Sequence, residues 1–187
     1  MRIRRRTLRY HGRVLGRSYD DQVCSIARTL EVVGERWTLL IVRDALLGTT
    51  RFDGFLRRLG IARNVLTGRL NALVQHEVLE RRPYRHRPLR YEYHLTPKGR
   101  ELTPVIISLM EWGDRYFDGD GGPPRVAEHL DCGGHVEARL VCEVCGRAVA
   151  AAEVSSRPGR RGGAPMPMPL PAGSLVPAHA AESKTGP

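Results

Sequence analysis

The sequence predicts a mainly α-helical fold with a small β-hairpin, and three observations point to it. Apolar residues recur at helical spacing in four successive stretches between residues 21 and 75. The spacing then changes to alternation, because Tyr91, Tyr93 and Leu95 alternate with polar residues. Helical spacing resumes after Pro97 and continues to Tyr116. Helices, a hairpin and a final helix in this order indicate a winged helix-turn-helix domain.

The first two helices are predicted on either side of Gly34, which breaks the helical pattern. The predicted buried stripe of the first helix consists of Ile26, Leu30 and Val33. The predicted buried stripe of the second helix consists of Trp37, Leu40, Ile41 and Leu47.

The next two helices are short and are joined at Gly60, which is the geometry of a helix-turn-helix. The third helix is expected to bury Phe52, Phe55, Leu56 and Leu59. The fourth is expected to bury Leu66, Leu70, Leu73 and Val74.

A β-hairpin with a basic tip, a wing, is predicted after the fourth helix. The alternating strand that ends at Leu95 needs a partner, which we place at residues 78–82. Pro83 and Pro88 then bracket an Arg-His-Arg tip. Thr96-Pro97 and Thr103-Pro104 each indicate an N-cap followed by proline at the first helical position. A kinked or restarted final helix is therefore expected.

The positive charge of the chain is concentrated in two places. The formal net charge is +10, residues 1–18 carry seven Arg and no acid, and residues 81–100 carry seven basic side chains and only Glu92 as an acid. Such clustering fits a polyanion such as duplex DNA, and it equally fits a solvated surface. No apolar run approaches the roughly 20 residues that span a bilayer, and no signal peptide is recognisable. We therefore expect a cytoplasmic protein without a membrane partner.

The fourth helix is expected to enter the major groove of double-stranded DNA, where base edges are distinguishable. If its leucines face inward, its outer face presents short polar and cationic side chains, whereas the alternative is an ordinary amphipathic surface helix. The candidate contacts on this helix are Arg63, Asn64, Thr67, Gly68, Arg69 and Asn71. The candidate contacts at the wing tip are Arg85, His86 and Arg87, for which phosphates are the expected partners.

Several motifs together carry a family resemblance. The segments are Cys24-Ser-Ile-Ala-Arg-Thr-Leu-Glu-Val-Val-Gly-Glu-Arg-Trp37, Arg51-Phe52, Leu66-Thr-Gly-Arg-Leu70, Tyr91-Glu-Tyr-His-Leu-Thr-Pro-Lys-Gly99 and Trp112-Gly113. Over about a hundred residues the chain resembles the HxlR-type winged helix regulators. The resemblance implies a homodimer, formed mainly by the first and last helices, that binds a palindromic operator as a transcription regulator. We expect it to act as a repressor.

Two positions depart from the family pattern. Ala62 stands where the family usually has a hydroxyl N-cap, and His76-Glu77 stands where an acidic residue and glycine usually precede the first wing strand. These departures concern the entry of the fourth helix and the first turn of the wing.

The predicted organisation has five parts. Residues 1–18 form a basic flexible arm, residues 19–117 the DNA-binding and dimerisation domain, and residues 118–124 a linker. Residues 125–154 form a small zinc-ribbon-like segment, and residues 155–187 a disordered tail rich in Pro, Gly, Ala and Ser.

The cysteines of the small segment are spaced as in a structural zinc site. Cys132-x2-His135 and Cys142-x2-Cys145 supply three thiols and an imidazole, with His129 as a spare candidate. A metal-free remnant and a redox disulfide are the alternatives. Cys24 is a separate candidate for a redox sensor, because a helix N-terminus lowers a thiol pKa, and the alternative is a small buried apolar side chain.

No catalytic motif supports an enzyme. The chain has neither a nucleophile elbow nor a phosphate-binding glycine loop. A thiol oxidoreductase that uses Cys142 and Cys145 lacks the βαβ context of such motifs. A zinc-ribbon interaction module is the other alternative, and it predicts that deletion of residues 120–187 abolishes activity, whereas a regulator keeps its DNA binding.

Overall fold

The computed structural model describes Tyr19, residues 24–117 and residues 121–157. Within these residues six α-helices, a short 3-10 helix at Ala151–Glu153 and one two-stranded antiparallel sheet confirm the predicted fold class. Their bounds are α1 Ser25–Val33, α2 Thr38–Leu46, α3 Phe52–Leu59, α4 Arg63–Gln75, β1 Leu79–His86, β2 Leu89–Leu95, α5 Pro97–Arg100 and α6 Thr103–Phe117. The predicted arm at residues 1–18 and residues 158–187 of the predicted tail lie outside the described residues. No helix among the described residues is long and apolar enough to cross a membrane.

The hydrophobic core lies between the helix-turn-helix and the base of the wing. Phe55 on α3 is fully buried, and its neighbours in the core come from α2, the turn between α3 and α4, α4, the residue before β1, both wing strands and α6. They are Ile41, Val42, Ile61, Leu66, Leu70, Leu73, Val78, Leu79, Leu95 and Ile106. Because the three leucines of α4 have no exposed surface, the opposite face of that helix is fixed toward solvent.

The predicted stripes of α1 and α2 were wrong at four positions. Exposed residues are Ile26, Leu30, Leu40 and Leu47. Both helices are short and carry apolar residues on more than one face. The core covers only one face of each helix. The buried positions on these helices are Ala27, Val33, Thr38, Ile41, Val42 and Asp44.

A buried ion pair ties α2 to α3. The Asp44 carboxylate is fully buried and contacts Nη2 of Arg43 at 2.9 Å and Nε of Arg58 at 3.2 Å. A buried carboxylate needs such partners, because an unpaired charge in the interior is strongly unfavourable. The contact between Asp44 and Arg58 therefore holds α3 against α2, next to the turn that leads into α4.

The turn between α3 and α4 is made by Gly60, whose φ of +62° is readily adopted only by glycine. α4 then begins at Arg63, and its N-cap residue Ala62 makes no side-chain cap. At the second departure from the family pattern, Glu77 has a φ of +58°. The turn into the wing thus keeps the left-handed backbone that the usual glycine favours, although the side chain is a glutamate.

The wing is longer than predicted. β1 extends to His86, beyond the predicted partner strand at residues 78–82, and pairs with β2 from Leu79 opposite Leu95 to His86 opposite Leu89. Each strand of a two-stranded sheet is an edge strand, which tolerates Pro83 because its missing N–H costs no ladder bond. The register shifts between Pro83 and Arg85. The turn at the tip is therefore shorter than the predicted Arg-His-Arg loop, because Arg85 and His86 belong to β1.

The final helix restarts as predicted. Thr96 caps α5, and its Oγ1 accepts the N–H of Gly99 at 3.1 Å. Thr103 does not act as the predicted N-cap that precedes a helix, because it already belongs to α6 and its hydroxyl donates to the carbonyl of Arg100 at 2.7 Å.

Candidate nucleic-acid interface

The solvent face of α4 presents the polar side chains expected there. Arg63, Asn64, Thr67, Gly68 and Asn71 are exposed, whereas Arg69 is half-buried. The Thr67 hydroxyl donates to the carbonyl of Arg63 at 2.9 Å. A Cβ added to Gly68 would meet no atom within 4 Å, so this glycine is not required for packing within the chain.

Arg63 is held at the start of α4 by groups from α3. Its guanidinium lies 3.6 Å from the carboxylate of Asp53 and 5.1 Å from the ring centroid of Phe52. A cation over an aromatic face is favourable and limits the rotamers of the arginine. Arg63 is therefore partly ordered where the helix begins.

Arg69 differs from the other candidates of α4, because it is half-buried and has a partner within the chain. Its Nη2 lies 2.7 Å from Oε2 of Glu35, which belongs to the connection between α1 and α2. The sequence places Arg69 on the flank of the polar face, and the structure gives it an acidic partner within the chain.

The basic residues of the wing tip lie on and next to the last strand pairs. Arg85 and His86 belong to the end of β1, and Arg87 follows in the turn. The Nε of Arg85 donates to the carbonyl of Arg87 at 3.1 Å. All three residues are exposed, so the hairpin carries its charge at the outer end.

The wing is joined to the residues that precede α3. The N–H of Tyr93 donates to the carbonyl of Thr50 at 2.7 Å, and Arg51 forms an isolated antiparallel bridge with Glu92. The side chains of this bridge also pair at 2.9 Å. The hydrogen bond lowers the pKa of Glu92 and raises the pKa of Arg51.

An arginine-rich groove of about 940 Å³ lies between α3, the start of α4 and the wing. Sequence reasoning missed most of its cations, since they are distant in the chain and meet only when β2 packs beside α3. Asp53 is an acid in its lining, and the arginines are Arg51, Arg57, Arg58, Arg63 and Arg90. The groove lies beside the start of α4 and the wing, and three of its arginines are already paired with Glu92, Asp44 and Asp53. Arg57 and Arg90 are therefore the cations that add most directly to the predicted phosphate-binding surface.

α6 exposes a wide apolar stripe. Val105, Leu109, Trp112 and Tyr116 are each between 42% and 56% exposed. The Trp112 ring lies 5.4 Å from that of Tyr116 and 5.2 Å from that of Phe117, measured between centroids. Such a continuous apolar patch is typical of an interaction surface.

The structure arranges the candidate metal ligands as two pairs. The Nδ1 of His129 lies 3.2 Å from the sulfur of Cys132. In the other pair, hydrogen bonding from the backbone of Cys145 and Val144 and from the Cys145 side chain lowers the pKa of the Cys142 thiol. In the part of the chain that the structure describes, no three His, Cys, Asp or Glu side chains form a metal-binding group. Cys24 is half-buried at the N-cap of α1, and its role as a sensor stays a prediction.

Comparisons with known proteins agree with this geometry. The model of the HxlR-like helix-turn-helix family matches residues 32–120. The HTH-type transcriptional regulator Rv3095 of Mycobacterium tuberculosis is 47% identical over 135 residues, which cover 72% of this chain and 85% of that protein. YdeP of Bacillus subtilis, also an HTH-type transcriptional regulator, is 35% identical over 111 residues, 57% of this chain and 86% of that protein.

Two solved structures share the fold. PA1607, assigned as a transcription factor, superposes with a TM-score of 0.65 at 38% identity and covers 74% of this chain and 95% of its own. PA1374 of Pseudomonas aeruginosa, assigned likewise, superposes with a TM-score of 0.55 at 42% identity and covers 74% and 94%. The relatives are transcription regulators, a class of proteins that are not enzymes, and this confirms the prediction that the chain is not an enzyme. This chain belongs to the HxlR-like helix-turn-helix family and is a transcription regulator with a helix-turn-helix DNA-binding domain.

Proposed function

We propose that the chain is a cytoplasmic repressor that binds a palindromic operator as a homodimer. The observation that carries the proposal is the exposed polar face of α4, which the buried leucines turn outward beside an arginine-rich groove. A helix with such a face fits the major groove, and phosphates fit the flanking cations. A dimer whose operator overlaps a promoter would exclude the polymerase, which is the basis of the proposed repression.

The apolar stripe of α6 supports the homodimer. Exposed tryptophan and tyrosine in water are unfavourable, and a second copy of the same helix offers a complementary apolar surface. Ile26 and Leu30 of α1 are exposed as well and extend the apolar area. Two copies related by a twofold axis present two α4 helices, which accounts for a palindromic operator.

The test is to select genomic DNA fragments with the purified full chain and to sequence them. We expect a palindromic motif whose half-sites lie about 10 base pairs apart, or a multiple of that distance. Transcription in vitro from the selected promoter is expected to fall when the protein is added. Fragments without any common motif would contradict the proposal.

The wing is expected to bind phosphates without reading sequence. Arg85→Ala combined with Arg87→Ala should weaken binding to all duplexes alike. Two lost phosphate contacts reduce the slope of log affinity against log salt by about 2, since each contact releases roughly one counterion. Salt titrations of operator and random duplexes measure the slope. Arg139→Ala is the control, because Arg139 pairs with Glu137 in the C-terminal segment and belongs to neither α4 nor the wing. A loss at one base pair alone would argue against a phosphate role.

The asparagines of α4 are expected to read bases. Asn64→Ala or Asn71→Ala should relax the preference at one operator position by about 1–3 kcal/mol, the range for a bidentate contact with adenine. Binding to operators with single substitutions measures this preference. Gln75→Ala is the matched control, because it removes an exposed amide from the far end of α4. An unchanged motif in both asparagine variants would show that these side chains do not contact bases.

A further inference from the structure

Residues 127–136 and 140–149 form two turns with the same backbone hydrogen bonds. In the first turn the N–H of His129 donates to the carbonyl of Gly134 at 2.8 Å, and the N–H of Gly133 donates to the carbonyl of His129 at 2.8 Å. The same two bonds recur thirteen residues later, at 3.0 and 2.9 Å, around Cys142. The second turn is therefore a structural repeat of the first.

The repeat extends to the flanks of both turns. Val136 donates to Ala127 at 2.9 Å, and Val149 donates to Leu140 at 3.0 Å. The antiparallel bridge between Glu128 and His135 matches the bridge between Val141 and Ala148. The left-handed glycines Gly133 and Gly146 have the same φ of 69°. The repeat is clearer in the backbone than in the sequence, which preserves few of the side chains.

Superposing the two turns by these bonds aligns their metal-binding side chains. His129 occupies the position of Cys142, and Cys132 occupies the position of Cys145. The two side chains of the first turn already lie 3.2 Å apart. Each turn thus presents two donors at its tip.

The same alignment of the two turns places His135 outside the tip of the first turn. His135 lies on the flank opposite Glu128, its counterpart in the second turn is Ala148, and its Nδ1 is 4.0 Å from the carboxylate of Glu137. The sequence pairs His135 with Cys132 by spacing, but His129 stands at the same separation on the other side. The backbone pattern selects His129.

The segment has no interior that would hold the turns together. None of residues 121–157 is buried, and all four cysteines of residues 24–117 and 121–157 are free thiols. A segment of this size without a core needs a metal or a disulfide for a stable fold. Its connection between the turns is anchored to the last helix, because the N–H of Ala138 donates to the Glu111 carboxylate at 2.7 Å.

We propose that His129, Cys132, Cys142 and Cys145 bind one structural zinc ion that joins the two turns. Three thiolates and an imidazole are a common tetrahedral zinc set, and each thiol releases its proton on binding. Metal binding would contribute folding free energy and would hold the two turns together, because each turn supplies two of the four ligands. Four protein ligands leave no open position for catalysis.

The experiment compares zinc bound per full-length chain, measured by elemental analysis after dialysis and by competition with a chromogenic chelator. Wild type and His135→Ala are expected to hold about one zinc with the same affinity. Cys142→Ser and Cys145→Ser are expected to lose the ion, and His129→Ala to bind it at least 10-fold more weakly. His129→Cys restores a fourth donor and should restore binding, and Co²⁺ in place of zinc should show thiolate charge-transfer absorption.

A second readout separates the site from the rest of the domain. Removal of zinc should increase hydrogen exchange in residues 121–154, while exchange in α4 and operator binding stay unchanged. Metal-free wild type, or a disulfide between Cys142 and Cys145 in the purified chain, would overturn the proposal. Loss of zinc in His135→Ala with full retention in His129→Ala would overturn the ligand assignment.

Discussion

Trp112→Arg is expected to convert the proposed homodimer into a monomer and to lower operator affinity by about 100-fold or more. Trp112 lies at the centre of the exposed aromatic cluster of α6, and an arginine at a twofold apolar interface would be buried beside its own copy. Loss of the dimer uncouples the two half-sites, and linked binding contributes roughly 10²–10⁴ in affinity.

The choice of arginine removes a simple electrostatic explanation. An added positive charge increases the general attraction to DNA, so weaker operator binding can arise only from lost dimerisation or lost folding. Because Trp112 is 53% exposed in the single chain, the variant should fold, which circular dichroism checks. Analytical ultracentrifugation measures the state of association, and Trp112→Phe is the matched control. A dimeric Trp112→Arg that binds its operator normally would remove α6 from the proposed interface.

Gly99→Ala is expected to lower the free energy of unfolding by about 3 kcal/mol or more, at the upper end of overpacking effects. A Cβ at this position would lie 2.2 Å from the Val78 carbonyl oxygen and 2.9 Å from Cδ2 of Leu95. The carbonyl has little freedom to move, since it accepts the N–H of Thr96 at 3.2 Å. The junction between wing and final helix therefore requires glycine.

Urea denaturation of purified variants measures this loss, and Gly68→Ala is the control. Gly68 also lies in a helix but has open space around it, so alanine there should raise the stability by up to about 1 kcal/mol. Equal stabilities of Gly99→Ala and wild type would mean that α5 shifts freely away from the wing.

The helices of the core could be predicted from the sequence because burial imposes its own spacing. Leu66, Leu70 and Leu73 lie where the pattern places them, and the polar face of α4 follows from them. The stripe of α1 could not be predicted, because Ile26 and Leu30 are apolar without facing the core. Spacing alone does not distinguish an interior from a surface that another chain covers.

Other features depend on pairing between distant residues, which spacing does not contain. The wing continues past Pro83 because the strand has a free edge at that residue. The arginine groove forms because β2 lies beside the start of α3, and Arg51 reaches Glu92 across 41 positions of the chain. The choice between His129 and His135 likewise rests on hydrogen-bond register, which three-residue spacing leaves open.

The bridge between Arg51 and Glu92 and the hydrogen bond from the Tyr93 N–H to the Thr50 carbonyl join the wing to the residues that precede α3. Lifting the wing away from α3 would break both contacts, whereas rotation of a whole subunit would leave them intact. In the proposed dimer, that rotation would take place at α6. Such a rotation would change the distance between the two recognition helices, so an effector that acted in this way would alter the half-site spacing that the protein accepts rather than any contact with a base.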